Sequence, residues 1–451
     1  MLAYWLTFGA GLLWVISIWL HSTGAPADDE ITHVLEARAV WNYPHLLLDV
    51  WMRVGNTILW VIPSLFGLQG LRLTSMILGT ATVLLATGCA VKLGLRREWL
   101  WLIPLFLWFQ MWYADLIYTA IKSVPFTFYL TLGVYLWLSE RHTPASLIFG
   151  LLPLSRHEGI VLLGLWFGYL LIRGKWRAAW LCWLPLVVYN VVYWLALQPN
   201  PADLPIAVYL QPHGAGLYGS GSWFHYLPGI GFGVGLPTLF WAMLGGPALK
   251  QVGWRALVIT PYLAYFLIHT VIYRFGMYES GGYVMFLLPL SVCFALLAAL
   301  GVQFLWDKLL PRLSRRWSSL TQIGIVFSVV MPQLFYGLVA TQPRLMTRHE
   351  QTAVQVVDWL KTQPITSKQI WAAYPWINLL YDFTSSTPDK KHIRATSLPK
   401  VQVGDYFIWD VYYSTHRDLP LSLFINSPDW ERIATFGDNQ IIIFRRKGVT
   451  L

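Results

Sequence analysis

Charged residues are scarce in this chain. Asp, Glu, Lys and Arg make up 12% of its 451 residues, against 56% hydrophobic ones, where a water-soluble domain carries about 25% charge. With a mean hydropathy of +0.51, the composition excludes a set of water-solvated domains and specifies a membrane protein. Cysteine is scarcer still. Cys89, Cys182 and Cys293 each fall inside an apolar run, at spacings that suit neither a metal site nor a disulfide framework, so they read as small core residues. The chain has no Gly-rich phosphate loop, no internal repeat, and no HExxH or GxSxG arrangement, which counts against an intramembrane metalloprotease or serine hydrolase. The net charge of +10 does not indicate a nucleic-acid partner, because the basic residues sit in short clusters between apolar runs rather than along one face.

Long apolar runs are abundant. A helix needs about 20 apolar residues to cross the hydrocarbon core. On that rule spans are predicted near residues 2–20, 71–92, 99–115, 123–138, 144–155, 159–172, 178–197, 233–249, 256–273, 283–304 and 320–340. Met1 to Leu20 lacks a basic leading region and a small-residue cleavage site, so it reads as an uncleaved first helix. The apolar run Leu46 to Leu68 is interrupted by Asp49, Arg53, Asn56 and Pro63; it reads as helices lying in the interface, with a spanning helix as the alternative.

Lys and Arg at the ends of short loops prefer the cytoplasm. Every second predicted loop is basic: Lys92, Arg96 and Arg97; Arg141; Arg173, Lys175 and Arg177; Lys250 and Arg255; Lys308, Arg312, Arg315 and Arg316. This alternation puts the N-terminus inside and the C-terminal tail outside. The outer loops then include Asp28-Asp29-Glu30, Asp115 with Lys122, Arg156 to Glu158, and the Pro- and Gly-rich stretch 198–232 with Tyr209, His213, Tyr218, Trp223, His225 and Tyr226. Aromatic faces of this kind suit sugar rings or an interfacial belt. The acidic triplet follows one apolar segment closely enough to lie at the membrane surface, where three negative charges must be solvated or paired. In isolation it would be an ordinary acidic loop; its position makes it a site candidate.

From about residue 341 the composition turns polar. Ala353, Val354, Val357 and Leu360 recur at helical spacing, while Gln369 to Ala373, Tyr406 to Tyr412 and Gln440 to Phe444 read as strands. The expected architecture is mainly α: a polytopic transmembrane bundle of about eleven spans over residues 1–340, with interfacial helices in its first outer loop, and a small non-cytoplasmic α/β domain over 341–451.

The order of these features resembles the polytopic glycosyltransferases of the GT-C type, including protein O-mannosyltransferase-like and aminoarabinose transferase-like enzymes. The likeness rests on Asp28-Asp29-Glu30 after the first helix, the Gly70 to Ser75 entry to the next span, Ser155-Arg156-His157-Glu158-Gly159, and Glu279-Ser280-Gly281-Gly282-Tyr283 opening a late helix. It implies transfer of a sugar from a polyprenyl-phosphate donor to a lipid, glycan or protein acceptor on the non-cytoplasmic face, in a bacterial inner membrane. It implies a catalytic carboxylate in the first outer loop, Asp28 or Asp29, with Asp29 favoured because Asp29-Glu30 matches the Asp-Glu pair of the family. Donor phosphate binding falls to Arg156, Arg274 and Lys122 at outer span ends, where snorkelling or a structural Arg156–Glu158 pair would be the alternatives. His157 reads as structural, and Arg72 as a link between the interfacial helices and the second span. Many relatives have an acid near the start of the fourth span; here Thr119-Ala120-Ile121-Lys122 stands there, so the candidates for a second acid are Asp115 and Glu279. No metal set is identified, although two adjacent acids could serve a divalent cation. A transporter or flippase of a lipid-linked substrate is the alternative function; it would place ionisable residues mid-span and show related halves, and neither is visible.

Overall fold

The computed structural model describes all residues except 201–202, 211–217, 279, 310, 312–314, 366–369, 382–397, 399 and 448–451. Its helices are α1 (Leu2–His21), α2 (Asp28–Ala39), α3 (Val54–Trp60), α4 (Gly67–Lys92), α5 (Leu102–Trp108), α6 (Met111–Leu116), α7 (Ser123–Leu138), α8 (His142–Ser155) and α9 (Gly159–Ile172). There follow α10 (Trp176–Leu181), α11 (Leu184–Leu197), α12 (Pro205–Leu210), α13 (Tyr226–Val234), α14 (Leu236–Leu249), α15 (Thr260–Arg274), α16 (Pro289–Leu309), α17 (Arg315–Ala340), α18 (Arg348–Thr362) and α19 (Pro375–Leu380). The chain forms two compact units: one of Met1–Leu20, Leu47–Trp60 and Gln69–Pro343, the other of His21–Leu46, Val61–Leu68 and Arg344–Leu451.

The first unit is a helical bundle. By length and composition, six helical stretches can cross a membrane: Leu2–His21, Pro63–Lys92, Trp176–Leu197, Leu236–Arg274, Pro289–Leu309 and Ser318–Ala340; Ser123–Leu138 and Gly159–Ile172 are shorter apolar helices. The predicted span 99–115 is broken: α5 ends at Trp108, and α6 restarts after Gln110, whose extended backbone (φ −87°, ψ 133°) interrupts the helix. Gln110 is fully buried and donates to the Ser291 carbonyl at 3.3 Å, so the break is tied to α16. The interrupted run Leu46 to Leu68 supplies only short pieces, 3-10 turns at Pro44–Leu48 and Pro63–Phe66 and the seven-residue α3, and seven residues rise about 10 Å, too short to span.

Small residues bring helices together where lipid offers no hydrophobic drive. A Cβ on Gly245 of α14 would collide with the Leu297 carbonyl of α16, and one on Gly301 of α16 with the Trp241 carbonyl of α14. α3 is seated on the end of α8 in the same way, through Gly55 against the Leu154 carbonyl, with Asn56 donating to the Ser155 carbonyl at 2.8 Å and accepting from its hydroxyl at 2.6 Å.

The second unit carries a four-stranded sheet of β1 (Ile370–Ala372), β2 (Tyr406–Asp410), β3 (Trp430–Phe436) and β4 (Ile441–Arg446), in the order β1-β2-β4-β3. β1 and β2 are parallel and the other pairs antiparallel. β3 was not predicted; it is an edge strand broken by a bulge at Arg432/Ala434 and mostly exposed, so no run of buried residues marks it in the sequence. Side chains alternate across the sheet. Ile408, Ile441 and Ile443 face Ala353, Val356, Val357 and Leu360 of α18 together with Ile31 and Leu35 of α2, and Phe407, Trp409, Ile442 and Phe444 face Phe424 and Leu419. α18 starts in a capping box, with Thr347 and Glu350 each accepting from the other's backbone N–H. The helix of the acidic triplet is thus part of the core of the smaller unit.

Candidate active site

In the second unit, α2 opens on Asp28, Asp29 and Glu30 after Ala27, which offers no side-chain cap. Carboxylates in a first helical turn complement the exposed N–H groups and the positive end of the helix dipole, each by about 0.3–1 kcal/mol. Helical rotation then separates the three. Asp29 is exposed, Asp28 half-buried and Glu30 fully buried. The Tyr413 hydroxyl donates to Asp28 Oδ2 at 2.5 Å. Burial raises the Asp28 carboxyl above its ordinary value, and the Tyr413 hydrogen bond works against that rise. Tyr413 stacks on Tyr374 at 5.5 Å, and Tyr374 lies 4.4 Å from the His349 ring. Asp410, at the end of the central strand β2, accepts from the backbone N–H groups of Tyr412 at 3.0 Å and Tyr413 at 2.6 Å, and from the Ser414 hydroxyl at 3.2 Å. Glu350 Oε1 accepts from the Ala25 N–H at 3.3 Å, just ahead of the triplet.

The first unit holds a buried polar cluster at the turn between α8 and α9. Arg156 grips Glu158 bidentately, Nε to Oε2 at 3.2 Å and Nη2 to Oε1 at 3.0 Å, with its guanidinium 4.2 Å from the Phe286 ring. His157 Nε2 and His269 Nε2 lie 3.6 and 3.4 Å from Glu158 Oε1, and Arg53 Nη2 is 3.2 Å from His157 Nδ1. Burial alone would raise the Glu158 carboxyl, but the Arg156 guanidinium holds it well below the usual range, while burial, with Arg53 and Arg156 adding to it, pushes His157 down to about 3. The imidazole of His157 is therefore neutral. Arg53 itself has a left-handed backbone (φ 68°), uncommon for a non-glycine residue.

Two members of this cluster, Arg53 and His269, were not singled out from sequence. A histidine inside the apolar α15 was the available signal, because an ionisable group at membrane depth needs a partner. Lys122 donates to the Trp51 carbonyl at 2.6 Å and lies 3.7 Å over the Trp51 ring. Arg274 is exposed in the last turn of α15. Asp115 is 8% exposed within α6, Arg72 is fully buried in α4, and Glu279 lies outside the described residues, as does His213. Of the loop aromatics, His225 and Tyr226 pack on Tyr273, and His225 Nε2 is 2.9 Å from the Gly282 carbonyl. Among the described residues, no group of three or more His, Cys, Asp or Glu side chains could hold a metal ion.

No protein-family model matches the chain, and no curated protein matches its sequence. Solved structures do match. ArnT from Cupriavidus metallidurans bound to undecaprenyl phosphate superposes with a TM-score of 0.67 at 13% identity, covering 97% of this chain and 97% of that one. The Archaeoglobus fulgidus oligosaccharyltransferase matches with a TM-score of 0.55 at 11% identity, over 90% of this chain and 69% of that one. What the chain shares with both along most of its length is their fold.

Proposed function

We propose that the protein is a membrane glycosyltransferase that moves a sugar from a polyprenyl-phosphate donor to an acceptor hydroxyl on the non-cytoplasmic face. The observation that carries this reading is the match over 97% of the chain to a structure that holds undecaprenyl phosphate. Asp29 is the base: it is the exposed carboxylate of the first turn. It accepts the acceptor's proton as that oxygen bonds to the anomeric carbon, and the bond from this carbon to the phosphate oxygen breaks, leaving polyprenyl phosphate. Departing negative charge calls for cations, and Arg156, Arg274 and Lys122 are the residues we assign to it. The acceptor belongs to lipid, glycan or protein, and the membrane in this reading is a bacterial inner membrane with the N-terminus cytoplasmic.

The test is a panel of undecaprenyl-phosphate-linked sugars presented to the purified protein, reading release of undecaprenyl phosphate. One member should be turned over by wild type, and Asp29→Asn should lower that turnover by roughly 10² or more at unchanged melting temperature. Release by Asp29→Asn and Asp28→Asn at the wild-type rate would end the carboxylate mechanism.

A further inference from the structure

The sheet of the second unit ends beside the acidic triplet, and one side chain connects the two. β2 delivers Asp410, which is fully buried and fixes the start of the short helix Tyr413–His416 through the N–H groups of Tyr412 and Tyr413. The Tyr413 ring is held flat on Tyr374, 24° from parallel. Its hydroxyl donates to Asp28 Oδ2 at 2.5 Å, across 385 residues of sequence. Asp28 in turn accepts from the Thr32 hydroxyl through its backbone carbonyl at 3.1 Å, so both ends of this residue are restrained within the first turn of α2.

We propose that Tyr413 is a positioning residue for the transfer reaction: its hydrogen bond to Asp28 fixes the first turn of α2 and thereby the direction in which Asp29 presents its carboxylate. The inference rests on the reading of Asp29 as the base. Hydrogen bonds to charged groups are short and strong, and the first turn of a helix without a capping residue at Ala27 otherwise frays. A base displaced by a fraction of an ångström loses rate without losing substrate affinity.

The measurement is kcat and donor KM for Tyr413→Phe, Asp28→Ala and the double variant, with the undecaprenyl-phosphate-linked sugar that wild type turns over in the panel, alongside thermal melting and Asp29→Asn. Tyr413→Phe keeps the stacked ring and removes only the hydroxyl; it should lower kcat by about tenfold with donor KM within twofold. The double variant should be no slower than the slower single variant, because both changes break one bond. Tyr412→Phe, an exposed neighbour whose ring stacks on His416, serves as the control with wild-type kcat. If Tyr413→Phe retains wild-type kcat, or if the two single effects multiply, Tyr413 does not position the base, and an inactive Asp29→Asn would leave the base itself standing. If Asp29→Asn is as active as wild type, the base and its positioning fall together.

Discussion

Glu158 is 4% exposed and both of its oxygens are held by Arg156. Removing one partner of a buried ion pair strands the other charge, at a cost of about 3–5 kcal/mol. Arg156→Ala should therefore lower the melting temperature of the detergent-solubilised protein sharply, and Arg156→Ala combined with Glu158→Ala should recover part of the loss. Retention of wild-type melting by Arg156→Ala would place the guanidinium outside the structural core of the cluster. His157 gives a second handle. Its folded value of about 3 lies below the ordinary 6.5, so its neutral form is favoured in the folded state. That stability is fully present above pH 6.5 and is lost as pH falls toward 3. Melting followed from pH 7.5 to 5 should decline more steeply for wild type than for His157→Gln, and parallel curves would remove His157 as the titrating group. The triplet Arg156-His157-Glu158 was legible because its charges interrupt apolar runs. The partners Arg53 and His269 were not, since they lie about 100 residues away on either side and no local spacing records them.

At the scale of elements, hydropathy located the helices well, because a bilayer rewards about 20 apolar residues whatever their order. It gave no sign of the break at Gln110, where a buried amide rather than a change of polarity ends the helix. It was also blind to how closely helices approach. α14 shows the contrast in two adjacent residues: Gly245 abuts the backbone of α16, whereas Gly246 has nothing within 4 Å of where a Cβ would stand. Gly246→Ala should be tolerated or slightly stabilising, since a helix interior gains roughly 0.5–1 kcal/mol from that change. Gly245→Leu should force α14 and α16 apart and cut the yield of folded protein, measured as the monodisperse fraction after solubilisation. Equal yields for the two variants would show that the close approach is not needed.

For the molecule as a whole, the change of composition near residue 341 marked where the polar C-terminal stretch begins, and the second unit takes up the chain again at Arg344. That residues 21–46 and 61–68 pack with this stretch was not legible. Ile31 and Leu35 of α2 join the isoleucines of β2 and β4 in one core, a pairing at sequence separations of several hundred residues. Orientation is the remaining large-scale expectation, carried by the basic loops. A reporter active only in the cytoplasm should be bright when inserted near Lys308 and silent when fused after Leu451. A bright signal at both positions would reverse the outer-face assignment of the acidic triplet.

The first loop is stitched to the start of the C-terminal stretch: the N–H groups of Thr23 and Gly24 both donate to the Arg344 carbonyl, at 2.8 and 2.9 Å. A ribosome adds about 5–20 residues per second, so the acidic triplet leaves it tens of seconds before Tyr413 exists to meet Asp28. Through that interval α2 has neither its hydrogen-bonding partner nor the isoleucine core it packs against. A nascent or prematurely ended chain can thus complete its apolar helices while Asp28 still lacks Tyr413 and α2 its isoleucine core.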